Sequence, residues 1–297
     1  MVPETGQLDA CETVILRNLA AKQDAEITRR RILDGLAAAP RSIPSKFFYD
    51  ARGSRLFEEI TKLPEYYPTR TEKKLLGKYA DEKGADLAEM DIVELGSGDC
   101  SKVSILLHAV PPDRMNTLRY VPVDISEATV VQSAETLIRR YPGLSVHGLV
   151  ADFVDQLDRI PDGRQRLFCF LGGTIGNLNP DERCDLLGAV ADEMEAGDGF
   201  LLGLDRVKPV ETLELAYNDS RNVTAAFNRN ILNVVNRLAG TDFDPRDFDH
   251  LAFFNEQKAQ KAHEHFITLF QKKDTPEDME TFKPQGEPIL LDVLVDS

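Results

Sequence analysis

The residues of this 297-residue chain best placed to do chemistry cluster around Gly96 and Gly98, in the stretch Asp-Ile-Val-Glu-Leu-Gly-Ser-Gly-Asp-Cys-Ser-Lys at 91–102. Ile92, Val93 and Leu95 form a short apolar run, the glycines break it, and an apolar-periodic segment through Val103, Leu106 and Leu107 follows. Strand, glycine turn and helix in that order let the backbone approach a ligand closely and turn amide donors toward it. A dinucleotide fingerprint needs a third glycine where this chain has Ser101, which disfavours an NAD-binding oxidoreductase. Glu94, two residues before the first glycine, instead suits a positively charged ligand without phosphates. S-adenosyl-L-methionine, a sulfonium nucleoside, is therefore the candidate cofactor. Asp124 ends the run Leu-Arg-Tyr-Val-Pro-Val-Asp, where a ribose hydroxyl would be gripped. Asp152 and Phe153 end another apolar run; an acid and an aromatic ring suit an adenine amino group and its ring face.

A second set of candidates is aromatic and amide-bearing. Tyr49, Tyr66 and Tyr67 lie in a stretch dense in aromatics and prolines, from Ile43 to Arg70. They are either loop aromatics packed on a core or a lid whose phenol groups face a ligand, since tyrosine offers an apolar wall with a polar tip. Pro64 and Pro68 restrict their predecessors to extended conformations, so the stretch reads as poor material for a regular element. Gly172, Gly173, Thr174 and Asn177 open a loop directly after an apolar run at 166–172. Asparagines at 228, 230, 233 and 236 recur along an otherwise apolar helical pattern, and are either solvated or line a pocket between domains.

The elements that must position these residues alternate in type. Strand patterns at 118–124, 144–151, 166–172 and 199–205 are separated by helical ones, which predicts an α/β doubly wound parallel sheet with helices on both faces. In such a sheet ligands gather at the carboxyl ends of the strands, the row to which the glycine turn, Asp124, Asp152 and the Gly172 loop all belong. Residues 9–39 read as two amphipathic helices, residues 210–217 and 223–238 as further helices, and 287–295 as a late strand. The division expected is a core at 71–205 that binds the nucleoside, and a smaller substrate-binding or lid lobe formed by 1–70 with 206–297.

Composition narrows the partners. A net charge of -15 with a pI near 4.8 repels nucleic acid and anionic membranes alike. Cys11, Cys100, Cys169 and Cys184 show no paired spacing and no clustered histidines, so neither a metal site nor a disulfide framework is expected, and a reducing cytoplasm fits. No apolar run approaches membrane-spanning length, and no targeting segment stands out.

Five motifs carry a resemblance. They are Pro-Ser-Lys-Phe-Phe-Tyr-Asp at 44–50, Leu-Pro-Glu-Tyr-Tyr-Pro-Thr-Arg at 63–70, Val-Glu-Leu-Gly-Ser-Gly at 93–98, Phe-Leu-Gly-Gly-Thr-Ile-Gly-Asn-Leu at 170–178 and Val-Thr-Ala-Ala-Phe-Asn-Arg-Asn at 223–230. In this order they resemble the ergothioneine-pathway L-histidine Nα-methyltransferases and their relatives that N-methylate other amino acids, over roughly residues 25–255. The resemblance implies a Rossmann-like methyltransferase sheet with S-adenosyl-L-methionine held by Tyr49, Gly96, Gly98, Lys102, Asp124, Asp152 and Phe153. It further implies that Asn177 and Tyr217 hold an amino-acid carboxylate, that Tyr66 stands near the substrate ring, and that Gly172 and Thr174 lie near the amine. Tyr49 and Asn177 are thereby the candidate catalytic residues. A neutral amide and a phenol bind a carboxylate without adding a cation that would repel the sulfonium. Phe48, Tyr49 and Phe227 are candidate walls for a quaternary ammonium product.

Near its end the chain departs from the family. Aligning the turn at Gly286 and Glu287 puts Asp292 where the family has a glutamate for the imidazole, and Leu294 where it has a serine. The expectation is methylation of the α-amine of free L-histidine to its Nα-trimethylated form, hercynine. The alternatives are a different amino acid, such as an aromatic one favoured by Leu294, or a non-catalytic descendant. Expected partners are a small-molecule amino acid, with no nucleic acid and no membrane, and the chain acting as a monomer.

Overall fold

The structure, a computed structural model, describes residues 14–19, 25–39, 41–153, 156–161, 164–178, 180–206, 208–254 and 267–271. Seven strands form one sheet: β1 (Val14–Asn18), β2 (Asp91–Leu95), β3 (Arg119–Asp124), β4 (Ser145–Val150), β5 (Arg166–Phe170), β6 (Gly199–Gly203) and β7 (Ile267–Gln271). Their spatial order is β1-β4-β3-β2-β5-β6-β7, with β7 antiparallel to β6 and every other pairing parallel. The strand order reverses direction at β2, so the glycine turn stands at the topological switch point of an open α/β sheet.

Alternation along each strand divides the core in two. Ile92, Tyr120, Val146, Leu167 and Leu201 face α3 (Tyr67–Leu87), α4 (Val103–His108) and α5 (Glu127–Arg140). Val93, Leu95, Val121, Val123, Phe168 and Phe200 face the other way, against Leu186 and Val190 of α6 (Pro180–Glu193). Strands buried on both faces carry apolar residues at successive positions, as at Ile92-Val93 in β2, Leu167–Phe170 in β5 and Phe200–Leu202 in β6.

Four further helices, α1 (Ala25–Ala37), α2 (Ala51–Ile60), α7 (Val210–Tyr217) and α8 (Val223–Ala239), build two smaller apolar clusters. One joins Ile32 of α1 to Ile231, Val234 and Val235 of α8; the other joins Ile60, Leu63, Tyr66, Ala216, Val223 and Phe227. Three of the four asparagines of α8, Asn228, Asn230 and Asn236, act as fasteners. Asn230 is buried and donates to Asp50 at 2.8 Å, Asn228 pairs with His250 at 3.1 Å, and Asn236 donates to the Phe243 carbonyl while accepting from its amide.

Three local expectations are corrected. Among the described residues of 9–39 there is one helix where two were expected, because Val14–Asn18 pairs as an edge strand along the open side of β4. A five-residue apolar pattern fits either period, and here backbone pairing with β4 decides. The proline-rich stretch is also more regular than expected. Asp50 caps α2 by accepting from Gly53 N at 2.8 Å, and Gly53 is required because a Cβ there would lie 1.7 Å from the Phe48 carbonyl oxygen. Pro68 sits in the first turn of α3, where its missing N–H costs nothing, so it starts a helix instead of preventing one.

Candidate functional site

The glycine turn leaves β2 with Gly96, Gly98 and Cys100 all at positive φ, 73°, 52° and 54°. Gly96 N donates to the Val123 carbonyl at 2.8 Å, which ties the start of the turn to β3. A side chain at Gly96 would approach the Phe153 ring, 3.7 Å from its Cβ, whereas nothing lies within 4 Å of a Cβ at Gly98. The turn is thus a cradle with an aromatic wall and an open floor. Asp124 stands at its rim: one carboxylate oxygen accepts from Gly98 N at 3.3 Å and the other from Ser126 N at 2.9 Å. Burial raises its pKa, while these amides oppose the rise. Phe153 is braced edge-on by Phe170, with ring centroids 5.3 Å apart. Asp152 is bound by Lys46 Nζ at 3.1 Å, which draws the segment carrying Tyr49 onto the end of β4.

Lys102 follows the turn, and its Nζ lies 2.7 Å from Glu72 of α3. The second oxygen of Glu72 accepts from Gly172 N at 2.6 Å. Gly172 and Gly173 have φ of 89° and 66°, and Thr174 Oγ1 donates back to the Leu171 carbonyl at 3.0 Å, so the loop curls at once into the short turn Thr174–Asn177. Asn177 ends that turn with its side chain exposed.

Above these residues sits the tyrosine group. Tyr66 is buried and packs edge-on to Tyr217, centroids 5.8 Å apart, and the two hydroxyls share a hydrogen bond. Tyr217 retains 43 % of its surface exposed, yet burial of its hydroxyl end raises its pKa. Tyr49 is half-buried; burial first, and then the nearby Tyr217 and Asp124, push it up to about 12. Its ring meets Phe227 and Phe57 edge-on, and Phe48 stacks on Phe227 at 4.9 Å. These phenols are therefore neutral hydrogen-bond donors at physiological pH. Arg70 holds the loop that carries Tyr66 by donating to the carbonyls of Leu63, Pro64 and Tyr66.

The structure brings together Tyr49 with Asp124 and Tyr217, Gly96 with Phe153, and Lys102 with Gly172. Tyr67 also packs against the cluster around Tyr66 and Phe227 and feels Tyr217, but its hydroxyl bonds Asp205 just beyond β6, and Lys208 lies over its ring at 4.6 Å. Asp292 and Leu294 lie outside the described residues. One sequence argument fails. Glu94 is not an exposed lure for a cation but 3 % exposed, accepting from the Tyr120 hydroxyl at 2.5 Å, and burial pushes its pKa up to about 8. Two residues went unread. Glu72 and Lys46 make their contacts with partners far along the chain, which no local pattern reveals, although Lys46 lies within the 44–50 motif.

The donor set suits the nucleoside. An aromatic wall, an acid at the end of β3, a glycine cradle and a charge-balanced lysine accommodate a ring, a ribose and an amino-acid tail. Among the described residues no group of His, Cys, Asp or Glu is arranged to hold a metal ion. Comparison with known proteins matches residues 28–289 to a family described as histidine-specific methyltransferase, SAM-dependent. The chain is 46 % identical to a histidine N-alpha-methyltransferase of Mycolicibacterium smegmatis, over 83 % of this chain and 77 % of that protein. It is 44 % identical to the histidine N-alpha-methyltransferase of Mycobacterium tuberculosis, over 76 % and 70 %. It is 30 % identical to ergothioneine biosynthesis protein 1 of Schizosaccharomyces pombe, over 72 % of this chain and 29 % of that longer protein.

Proposed function

This chain belongs to the SAM-dependent, histidine-specific methyltransferase family, and from that premise we propose that it methylates the α-amine of free L-histidine to the Nα-trimethylated product, hercynine, in ergothioneine biosynthesis. The observation that carries the reading is the position of Tyr49, close to Asp124 on the nucleoside side and to Tyr217 on the amino-acid side. One phenol is therefore within electrostatic reach of both halves of the proposed site.

S-adenosyl-L-methionine, when bound, supplies an electrophilic methyl group on a positively charged sulfur. In the proposed site Asp124 accepts from the ribose hydroxyls, Phe153 walls the adenine ring, Asp152 lies near its amino group, and Gly96 and Gly98 leave room for the backbone to approach. Lys102 faces the amino-acid tail. Asn177 and Tyr217 donate to the histidine carboxylate, with Tyr217 held in place by Tyr66. Thr174 and Gly172 border the amine, and Asp292 is assigned to the imidazole. Tyr49 orients the amine but does not deprotonate it, since a phenol with a pKa of about 12 stays protonated and its conjugate base is unavailable near neutrality. The amine then loses its proton to water before the tyrosines close over it, and the acceleration comes from holding two reactants in line. Phe48, Tyr49 and Phe227 offer ring faces and edges to the cationic product.

Residues 71–205 carry the cofactor in this reading, and 1–70 with 206–297 supply the substrate cover. Among the described residues no helix is long and apolar enough to cross a membrane; a cytoplasmic monomer acting on a small molecule is proposed from the charge and cysteine content. The test is incubation with methyl-labelled cofactor and each of the twenty amino acids. Label accumulating on histidine, up to three methyls, is expected. Preferential labelling of tryptophan, tyrosine or phenylalanine would replace histidine as substrate, and labelling of none would leave only a binding protein.

A further inference from the structure

Four segments converge on one carboxylate. Glu72 projects from the second turn of α3 and is mostly buried, its side chain 11 % exposed. One oxygen takes the Lys102 ammonium at 2.7 Å and the other takes the Gly172 amide at 2.6 Å. The space around the pair is kept by two glycines. A Cβ at Gly203, the last residue of β6, would lie 2.1 Å from Glu72 Oε1, and a Cβ at Gly172 would lie 2.8 Å from Lys102 Nζ. The ends of β5 and β6 are therefore shaped around the ion pair.

Its electrical role follows from its neighbours. An unpaired lysine beside the glycine turn would help any nucleoside whose tail ends in a carboxylate, but would oppose a positive charge elsewhere on the same ligand. Glu94 lies close by, but its proton is held up to a pH of about 8, so it balances little of the lysine charge at neutrality. Asp99 is exposed, its carboxylate accepting from Ser101 N at 3.1 Å. Glu72 is the carboxylate in direct contact with the ammonium.

We propose that Glu72 is a positioning and charge-balancing residue that lets Lys102 hold the cofactor's tail without repelling its sulfonium, so that the site prefers the sulfonium cofactor over its neutral thioether product. This rests on the methyltransferase reading and deepens it, by locating the device that separates cofactor from spent cofactor. The pair also fixes the first amide of the Gly172 loop, so cofactor side and substrate side share one anchor.

Calorimetric titration of S-adenosylmethionine and S-adenosylhomocysteine into three variants tests it. Glu72→Gln keeps an oxygen for the Gly172 amide but leaves the ammonium uncompensated. It should weaken the sulfonium ligand at least tenfold, or ~1.4 kcal/mol, and the thioether no more than about threefold by the same scale. Lys102→Gln should move the ratio the other way, because Glu72 is then unbalanced and negative. The double variant should return the ratio to the wild-type value. A purely structural Glu72 would weaken both ligands alike in Glu72→Gln, and that result, or an unmoved ratio in either single variant, overturns the inference. Wild-type protein that binds neither nucleoside would overturn the parent reading together with this one, whereas wild-type binding with an unaltered ratio in the variants defeats this inference alone.

Discussion

Asp124 and Glu94 meet different surroundings although both are acids on neighbouring strands that lead into the glycine turn. Asp124 keeps two amide donors and a place at the rim of the turn. Its replacement by alanine removes a charge-assisted acceptor and is expected to weaken S-adenosylmethionine by about 1–3 kcal/mol. Titration calorimetry measures this directly, and an unchanged dissociation constant would take Asp124 out of the site. Glu94 is enclosed, and burial pushes it up to about 8 from an ordinary value of 4.5. The folded chain thus holds this proton more tightly than the unfolded chain does. The resulting stabilisation is complete below about pH 4.5 and is lost as pH rises to about 8. Glu94→Gln accepts equally well from Tyr120 and does not titrate. Its stability relative to wild type should therefore improve between these values, by on the order of 4 kcal/mol, and stay level above them. Denaturant melts at pH 5 and pH 8.5 give the comparison; equal differences at both would show that Glu94 is ionised in the fold throughout.

Helices α3 and α4 carry the two ends of the Glu72–Lys102 pair, so the accuracy of the site depends on how closely they pack. Gly84 sets that distance. A Cβ there would stand 2.4 Å from the Ala109 carbonyl oxygen and 2.7 Å from its Cβ, contacts with backbone and a fixed methyl that cannot rotate away. Gly84→Ala gains helix propensity of about 1 kcal/mol, yet must push α3 from the end of α4 at a cost of about 1–3 kcal/mol or more. A lowered denaturation midpoint with an unchanged slope is expected, and a stabilised variant would show that the helices have slack. The helical cover adds polar fasteners to its apolar joints. Asp50 caps α2 and takes Asn230 and Arg237 of α8, while Asp219 accepts from Val223 N and Thr224 N at the start of α8. Two of the motifs behind the family resemblance, at 44–50 and 223–230, are thus in contact through Asp50 and Asn230.

Across the whole molecule the ligand should act as a clamp, because its proposed contacts come from the turn after β2, the ends of β3 and β4, and the helical cover. A ligand bound only by the folded state at a hundredfold excess over its dissociation constant adds about 2.7 kcal/mol, which corresponds to a rise in melting temperature of about 5 °C for a chain of this size. S-adenosylmethionine should produce that shift and NAD should not. The reverse result would return the glycine turn to the dinucleotide class that Ser101 disfavours. Histidine alone should stabilise less than histidine with S-adenosylhomocysteine, since the tyrosines face both halves of the site.

The parallel sheet, its switch point and the glycine turn were legible in the residues because their causes are local: apolar runs bounded by glycine, and strands alternating with helices. The positions of Asp124 and Phe153 follow from the same logic, each lying at or just beyond the carboxyl end of a strand. What the residues alone could not decide was pairing. Val14–Asn18 became a strand because β4 had an open edge, Pro68 became a helix start because Arg70 gathered the preceding carbonyls, and Glu94 became a core acid because Tyr120 met it. Glu72 and Lys102 are ordinary charged residues until folding removes them from water and sets them 2.7 Å apart. Short-range geometry is written in neighbouring side chains, whereas the charge a carboxylate bears depends on what burial brings beside it, and only the tertiary structure supplies that.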